Sequence, residues 1–322
     1  MIAEHQRPRI LTWNIHGSYL YYLSLGDYII YVPYNEQRSD RYAGRGTTFP
    51  FGNNVIEIPA HEIKGIEFDL ILFQADENYL IDQHELLSES QRTLPKIYIE
   101  HDPPWGHPTD EVHPIKDKNI TLVHVTHYNR LMWKADLPDI RVICHGVTVG
   151  PVTYHGTIKK GIVVINNLPS RGRMLGLDIF NKVREVIPLD LVGMGSEDYG
   201  IGEVLHPQLP AFMSQYRFFF NPIRYTSLGL SVCEAMMIGM PVVGLACTEL
   251  PTVIKNEASG FVHNDINYLI DKMSLLLDVP SVAYDISYAA SQRAKELFAI
   301  ERFTTEWRQL FIEKINSAIK EQ

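Results

Sequence analysis

The sequence has few cysteines and no long apolar segment. Its 322 residues include three cysteines, which are widely spaced and form none of the paired patterns typical of metal sites. Reduced thiols in a cytoplasmic protein are therefore expected. No run of about 18 apolar residues occurs, so no membrane-spanning helix is predicted. The N-terminal residues also lack the apolar segment of a signal peptide.

An excess of positive charge is also absent. The formal net charge is −9 at pH 7, so nucleic acid is not an expected partner. One local basic segment, RSDRYAGR, carries Arg38, Arg41 and Arg45. It is either a solvated loop or a contact to an anionic acceptor or a lipid headgroup, which leaves peripheral membrane contact open.

The histidines do not form a metal-binding pattern. Three of the 13 histidines, His101, His107 and His113, recur at a spacing that suits neither one helix face nor a compact zinc site. We therefore predict no metal ion.

Short apolar segments recur along the chain, and many are continuous rather than alternating. Such segments are typical of strands buried on both faces of a parallel sheet. The strands predicted in the first half are 9–15, 28–32, 54–58, 69–73, 96–100, 121–125 and 141–145, with a helical segment at 78–90. The second half repeats the pattern, with strands at 161–166, 189–195, 216–222, 241–246 and 260–265 and helices at 174–186, 231–239 and 266–277.

This repetition predicts an α/β fold with two Rossmann-like domains in tandem, residues 1–148 and 149–322. The join is expected within 145–156. The last helix, 301–319, is terminal, so it can pack on its own domain or cross back to the first. Ligands of doubly wound sheets bind at the carboxyl ends of strands, so the expected site is a central cleft that both domains face.

Two arginines follow the first strand of the second half. Arg171 and Arg173 lie in a polar loop between strand 161–166 and the next helix. Guanidinium groups at a helix N-terminus suit a diphosphate. The alternative is two solvated surface arginines.

The segment after strand 216–222 combines hydroxyls, a glycine and a carboxylate. Thr226 and Ser227 can donate and accept hydrogen bonds. Glu234, expected in the first turn of the next helix, can accept two vicinal hydroxyls such as those of a ribose. The alternative for this carboxylate is that it only complements the helix dipole. The backbone N–H groups expected to point at a ligand are those of Leu228, Gly229 and Leu230.

The segment GLSVCEAMMIGMPVVGLACTELPTVIKNEASGFV resembles the C-terminal signature of retaining glycosyltransferases of the two-Rossmann (GT-B) architecture, the family-four group. The family pattern is Glu-Gly-Phe-Gly-Leu-Pro-x-x-Glu-Ala, followed by Gly-x-Pro-Val-Val and by an x-Gly-Phe-x-Val strand. Looser similarity extends over most of 155–270. The matching residues are Gly229, Leu230, Glu234, Ala235, Gly239, Pro241, Val242, Val243, Gly260, Phe261 and Val262.

The resemblance implies roles for these residues. Glu234 is expected to bind the nucleotide ribose, and the backbone of 228–230 to contact phosphate or the donor sugar. The family's first glutamate usually contacts the donor sugar, and this chain has Thr226 at that position. A hydroxyl can hydrogen-bond a sugar but cannot accept a proton as a carboxylate does.

Two further glycine-containing segments complete the expected donor site. Gly193 lies in the sequence GMG that ends the predicted strand 189–195, and Val204 lies in the loop 200–206. Base recognition in this architecture depends on the backbone of that loop.

The first half agrees with the resemblance at two strand ends. Gly17 follows strand 9–15 and opens a helix, where family members have a glycine-rich loop. His101 and Asp102 follow strand 96–100, at the position of a family pair near the transferred sugar. A histidine there can hydrogen-bond a sugar hydroxyl or shuttle a proton. The alternative is that the pair fixes the adjacent Pro-Pro loop.

We therefore predict a hexosyltransferase-type enzyme that moves a sugar from a UDP- or GDP-linked donor to a hydroxyl acceptor in glycan or polysaccharide biosynthesis. The acceptor would be a glycan, a lipid-linked glycan or a small molecule, held by the first domain. No cofactor is expected, and the absence of Asp-x-Asp fits a transferase that holds its diphosphate without a divalent ion. The resemblance implies a front-face retaining mechanism. The alternatives are a sugar-nucleotide epimerase and, because of Thr226, a nucleotide-sugar-binding protein without turnover.

Overall fold

The computed structural model describes residues 6–321, and its contacts divide the chain into two compact units. The first unit extends to Gly146 and also contains the chain from Ile300 onward. The second unit is Val147–Ala299. The terminal helix is thus part of the first unit. Residues 1–5 and 322 of the predicted domains lie outside the described residues.

The first unit contains a seven-stranded sheet in which every pair of neighbours is parallel. The strand order is β3-β2-β1-β4-β5-β6-β7. All four residues of β4 are buried, as expected of a central strand covered on both faces. The strands are β1 Arg9–Thr12, β2 Ile29–Tyr34, β3 Val55–Pro59, β4 Leu70–Phe73, β5 Lys96–Glu100, β6 Ile120–His124 and β7 Ile140–Val142.

Helices of the first unit are short except for the last one. The terminal helix buries Phe303, Trp307 and Phe311 in the first unit, where Phe311 lies edge-on to Tyr28 at 5.0 Å between ring centroids. The α-helices are α1 Gly17–Leu23, α2 Gln83–Leu86, α3 His127–Met132 and, after the second unit, α11 Ile300–Glu321. Shorter turns are the 3₁₀ segments Asp40–Tyr42, Ala60–Gly65 and Gln91–Thr93 and the π segment Asn78–Asp82.

The second unit contains a five-stranded parallel sheet in the order β12-β11-β10-β8-β9. Its strands are β8 Ile158–Val164, β9 Leu189–Val192, β10 Tyr216–Asn221, β11 Val242–Gly244 and β12 Gly260–Val262. Its helices are α4 Leu168–Arg171, α5 Leu177–Arg184, α6 Leu209–Met213, α7 Leu230–Ile238, α8 Leu250–Val253, α9 Ile266–Asp278 and α10 Pro280–Phe298, with a 3₁₀ segment at Gly172–Leu175.

Both sheets reverse their strand order at one point. In the first sheet the chain leaves β1 to one side and returns as β4 on the other, and in the second sheet β8 and β10 are related in the same way. Such a reversal opens a crevice at the carboxyl ends of the two strands. The predicted α/β class with two Rossmann-like units is confirmed. No helix within residues 6–321 is both long enough and apolar enough to cross a bilayer.

One predicted helix is divided in two. The apolar spacing of 174–186 predicts a single helix, but Gly176 interrupts it with a φ of +85°. A Cβ on Gly176 would lie 2.1 Å from the carbonyl oxygen of Pro222. The interruption therefore lets the segment after β8 approach the segment after β10 more closely than any other residue would allow.

Candidate functional site

The loops after β8 and β10 meet at the carboxyl edge of the second sheet. The backbone N–H of Arg224 donates to the carbonyl of Met174 at 3.1 Å. The Ser231 hydroxyl donates to the carbonyl of Val164, the last residue of β8, at 3.4 Å. These contacts bring the predicted donor-binding segments together at the reversal point, where ligands of doubly wound sheets bind.

Glu234 is the fifth residue of α7, so its predicted place in the first helical turn is wrong. The residue is only 2% exposed. Its Oε1 lies 3.1 Å from Nε2 of His206, which reaches it from the loop between β9 and α6. A carboxylate this deeply buried requires hydrogen-bond partners, and the imidazole is one of them.

The start of α7 forms as expected. Gly229 is the residue before the helix, with an extended conformation, and Leu230 is the first helical residue. The N–H groups of a first helical turn lack intrahelical carbonyl partners, which suits them to an anion. Thr226 and Ser227 lie half-buried in the bend that precedes this turn, and Leu228 is buried.

Gly193 lies against the end of β8. Its φ is +146°, and a Cβ there would lie 2.5 Å from the carbonyl oxygen of Ile165. The next residue, Met194, donates its N–H to the Asn166 side chain at 3.0 Å. The GMG turn thus packs directly against the chain that leaves β8. Val204 lies half-buried in the loop that carries His206.

The two predicted phosphate-binding arginines are placed differently from each other. Arg171 lies in the last turn of α4, so its predicted position in a loop ahead of a helix is wrong. Arg173 lies in the 3₁₀ segment, with a side chain that is 76% exposed and a 2.6 Å ion pair to Asp178 in the first turn of α5. Arg224 binds the same carboxylate through two nitrogens, at 2.6 and 2.8 Å.

This pairing depresses the pKa of the Asp178 carboxyl, chiefly through the hydrogen bond from Arg224. Two guanidinium groups therefore converge on one exposed carboxylate next to the β8–β10 edge. An incoming diphosphate would find these cations already positioned, and Asp178 would compete with it for them.

In the first unit, the predicted residues Gly17 and His101 lie close together. The ring of His16, which precedes Gly17, lies 4.0 Å from the ring of His101. Phe49 covers Gly17, because a Cβ on that glycine would lie 2.6 Å from the phenyl ring. Tyr19, in α1, contacts the His101 ring edge-on at 4.7 Å.

The backbone of His101 and Asp102 is held by three hydrogen bonds. The carbonyl of His101 accepts from the Asn129 side chain at 3.0 Å, and the carbonyl of Asp102 accepts from Nε1 of Trp133 at 2.8 Å. The Asp102 N–H donates to Oε1 of Glu100 at 2.9 Å. This framework fixes the strand end that presents both side chains.

Glu100 forms a buried pair with His113. The Oε2 of Glu100 lies 3.1 Å from Nε2 of His113, and Nδ1 of His113 accepts the N–H of Ile115 at 3.2 Å. Because Nδ1 accepts, Nε2 carries the proton and is the hydrogen-bond donor to the carboxylate. Burial raises the pKa of the Glu100 carboxyl, and the His113 hydrogen bond opposes that rise.

One buried histidine, His124, and two half-buried ones, His16 and His101, make stability depend on pH. Burial lowers the pKa of His16 to about 4 and that of His124 to about 3. Burial, with His16 and His145 nearby, lowers the pKa of His101 well below its ordinary value. These groups stay neutral in the folded state, whereas in the unfolded chain they bind protons below about pH 6.5. We expect the free energy of unfolding to be fully retained above that pH and to fall between pH 6.5 and 4.

Urea unfolding at pH 7 and pH 5 measures this dependence. His124→Leu removes one such group. It should reduce the slope of the free energy of unfolding against pH by up to about 1.4 kcal/mol per pH unit. His84→Leu, at an exposed position, is the matched control and should leave the slope unchanged. An unchanged slope in His124→Leu would contradict the assignment.

The basic segment of the first unit is internally paired. Arg38 binds Glu57 at 2.6 Å, and Arg41 binds the buried carboxylate of Asp82 at 2.8 Å. Arg45 donates to a backbone carbonyl. These partners favour a structural role over contact with an anionic acceptor or lipid.

His206, Arg224 and Asp178 are the site residues that sequence reasoning missed. His206 gives no local signal, because the sequence does not show that its loop folds back onto α7. Arg224 stands in the very segment that carries Thr226, so its proximity to that motif was an available signal. Within residues 6–321, no group of three or more His, Cys, Asp or Glu side chains is arranged to hold a metal ion.

Two Rossmann-like units, each built on a parallel sheet, match the fold of GT-B glycosyltransferases, as the resemblance implied. The sucrose-phosphate synthase of Thermosynechococcus elongatus is a structural neighbour with a TM-score of 0.71 and 15% identity, covering 97% of this chain and all of that chain. Anabaena HepE, solved in complex with UDP and glucose, has a TM-score of 0.66 and 13% identity, covering 94% and 99%. At these identities the likeness shows the fold.

Sequence comparison matches the segment that carries the candidate site. Residues 168–279 match the family described as Glycosyl transferases group 1. The trehalose synthase of Thermococcus litoralis is 28% identical over 176 residues, which cover 46% of this chain and 42% of that relative. The match thus spans less than half the length of that relative. The family match concerns this segment of the second unit, and the structural likeness shows the fold.

Proposed function

We propose that the protein transfers a sugar from a nucleotide diphosphate-sugar to a hydroxyl acceptor, with retention of configuration. The observation that carries the proposal is the meeting of the loops after β8 and β10 at the start of α7, the helix that carries the buried carboxylate of Glu234. The same segment matches the Glycosyl transferases group 1 family. The nucleotide would bind the second unit, and the acceptor the first unit.

Each part of the donor has a matching group in this arrangement. Glu234 would accept hydrogen bonds from the ribose hydroxyls, and the first turn of α7 would bind phosphate. Arg173 and Arg224 would stabilise the charge that develops on the leaving diphosphate. The GMG turn and the loop of Val204 would enclose the base. UDP is the nucleotide in the HepE neighbour, so a UDP-linked donor is the first candidate and a GDP-linked donor the second.

The chemical step would exchange two bonds at the anomeric carbon. The bond from that carbon to the diphosphate oxygen breaks, and a bond to the acceptor oxygen forms on the same face. The leaving phosphate oxygen takes the acceptor proton, because Thr226 supplies a hydroxyl where the family has a carboxylate. His101 would hydrogen-bond the transferred sugar. The proposal also includes a cytoplasmic location, transfer activity without a metal ion and a role in glycan biosynthesis.

Calorimetric titration with UDP and GDP, followed by a thermal-shift survey of nucleotide-sugars, tests the proposal. We expect one nucleotide to bind, and the matching sugar donor to be consumed when a hydroxyl acceptor is added. Binding without any transfer or hydrolysis would instead indicate a nucleotide-sugar-binding protein, and loss of label at sugar C2 an epimerase. Absence of binding by either nucleotide would overturn the proposal.

A further inference from the structure

We infer that His206 is a positioning residue for Glu234 and thereby sets the preference of the site for ribose over deoxyribose. This inference rests on the proposed function, because it assigns a ribose to Glu234. The family signature at residues 229–262 includes the glutamate but does not extend to the loop that carries His206.

The hydrogen bond has a defined direction. Nε2 of His206 lies 3.1 Å from Oε1 of Glu234. A carboxylate can only accept, so Nε2 carries the proton and the imidazole donates. The His206 side chain is 14% exposed and that of Glu234 is 2% exposed, so little water screens the contact.

His206 is directed inward from a position between two exposed residues. Its neighbours Leu205 and Pro207 are both exposed. The loop is fixed at both ends, since Gly193 donates its N–H to the carbonyl of Gly202 at 2.9 Å and Leu209 donates to the carbonyl of Leu205 at 3.1 Å. The backbone therefore holds the imidazole in place before any ligand arrives.

A fixed donor on one oxygen controls the orientation of the whole carboxylate. The terminal torsion of a glutamate side chain has broad minima, so the plane of an unrestrained carboxylate is variable. A carboxylate has about four lone-pair directions, so it can accept from an imidazole and from two vicinal hydroxyls. With the plane set by His206, the carboxylate can accept hydrogen bonds from both ribose hydroxyls at once. A sugar that lacks these hydroxyls cannot form these hydrogen bonds.

The test compares the binding of UDP with that of 2′,3′-dideoxy-UDP by calorimetry. GDP and 2′,3′-dideoxy-GDP are compared in the same way. In the wild type we expect UDP to bind at least about tenfold more tightly than its dideoxy form, because hydrogen bonds to a charged carboxylate are among the stronger ones. His206→Leu should lower the affinity for UDP but hardly that for dideoxy-UDP, so the ratio falls toward one. His206→Gln keeps a side-chain N–H donor and should restore most of the ratio.

The outcomes separate this inference from the proposed function. A wild type that binds neither nucleotide contradicts the function. A wild type that prefers UDP and a His206→Leu variant with the same preference contradict only the role of His206. If His206 had only a structural role, its replacement would lower the affinity for both nucleotides equally. That result would also overturn the inference. Should His206→Leu not fold, His206→Asn, whose side chain is too short to reach Glu234, must show the same loss of preference.

Discussion

Replacing Glu234 with glutamine is expected to weaken nucleotide binding by about tenfold to a hundredfold. The amide keeps the size of the side chain but has one acceptor oxygen and no charge, so it cannot accept both ribose hydroxyls. Calorimetry with UDP and GDP measures the loss, and the thermal midpoint of unfolding shows that the variant remains folded.

Glu296→Gln is the matched control for that substitution. Glu296 lies exposed on α10 in the same unit and is 3.3 Å from Arg293, a surface pair of small energetic value. The control should bind nucleotide as the wild type does. Equal affinities in wild type, control and Glu234→Gln would remove Glu234 from the ribose site.

The second large effect is expected at Gly176. Alanine there would adopt a left-handed conformation at φ +85°, which costs about 1–2 kcal/mol, and its Cβ would lie 2.1 Å from the Pro222 carbonyl oxygen. Relief of that clash must move backbone, which typically costs a further 1–3 kcal/mol, on the order of overpacking in a core. We expect Gly176→Ala to lose about 3 kcal/mol in urea unfolding. It should also bind nucleotide less tightly, because the two loops separate.

Gly150→Ala isolates the conformational part of this cost. Gly150 has a φ of +61°, but no atom lies within 4 Å of the position of its added Cβ. Its loss should therefore be about 1–2 kcal/mol, with nucleotide affinity retained. If the two alanine variants lost equal stability, the close approach of the loops after β8 and β10 would not be what Gly176 provides.

The missed helix α10 illustrates where sequence patterns lose information. Its buried positions include Ala283, Ala290 and Ala294, which give only a weak apolar stripe. Small residues are needed because α10 packs closely on α7, whose end at Gly239 approaches Ser287. A surface helix with larger apolar residues, such as α9, was predicted almost to its ends, and Asp265 caps it as expected by accepting the Asn267 N–H at 2.9 Å.

Periodicity and composition by themselves determined the α/β class, the approximate positions of the strands within residues 6–321 and the segment that carries Glu234, because continuous apolar runs and turn residues are local properties of a chain. Tertiary structure alone decided the order of the strands, the break at Gly176, the pairing of Arg173 and Arg224 with Asp178, and the contact of His206 with Glu234. The physical reason is that these are contacts between residues far apart in sequence. Their energies depend on burial and on distances of about 3 Å, and no local pattern encodes them.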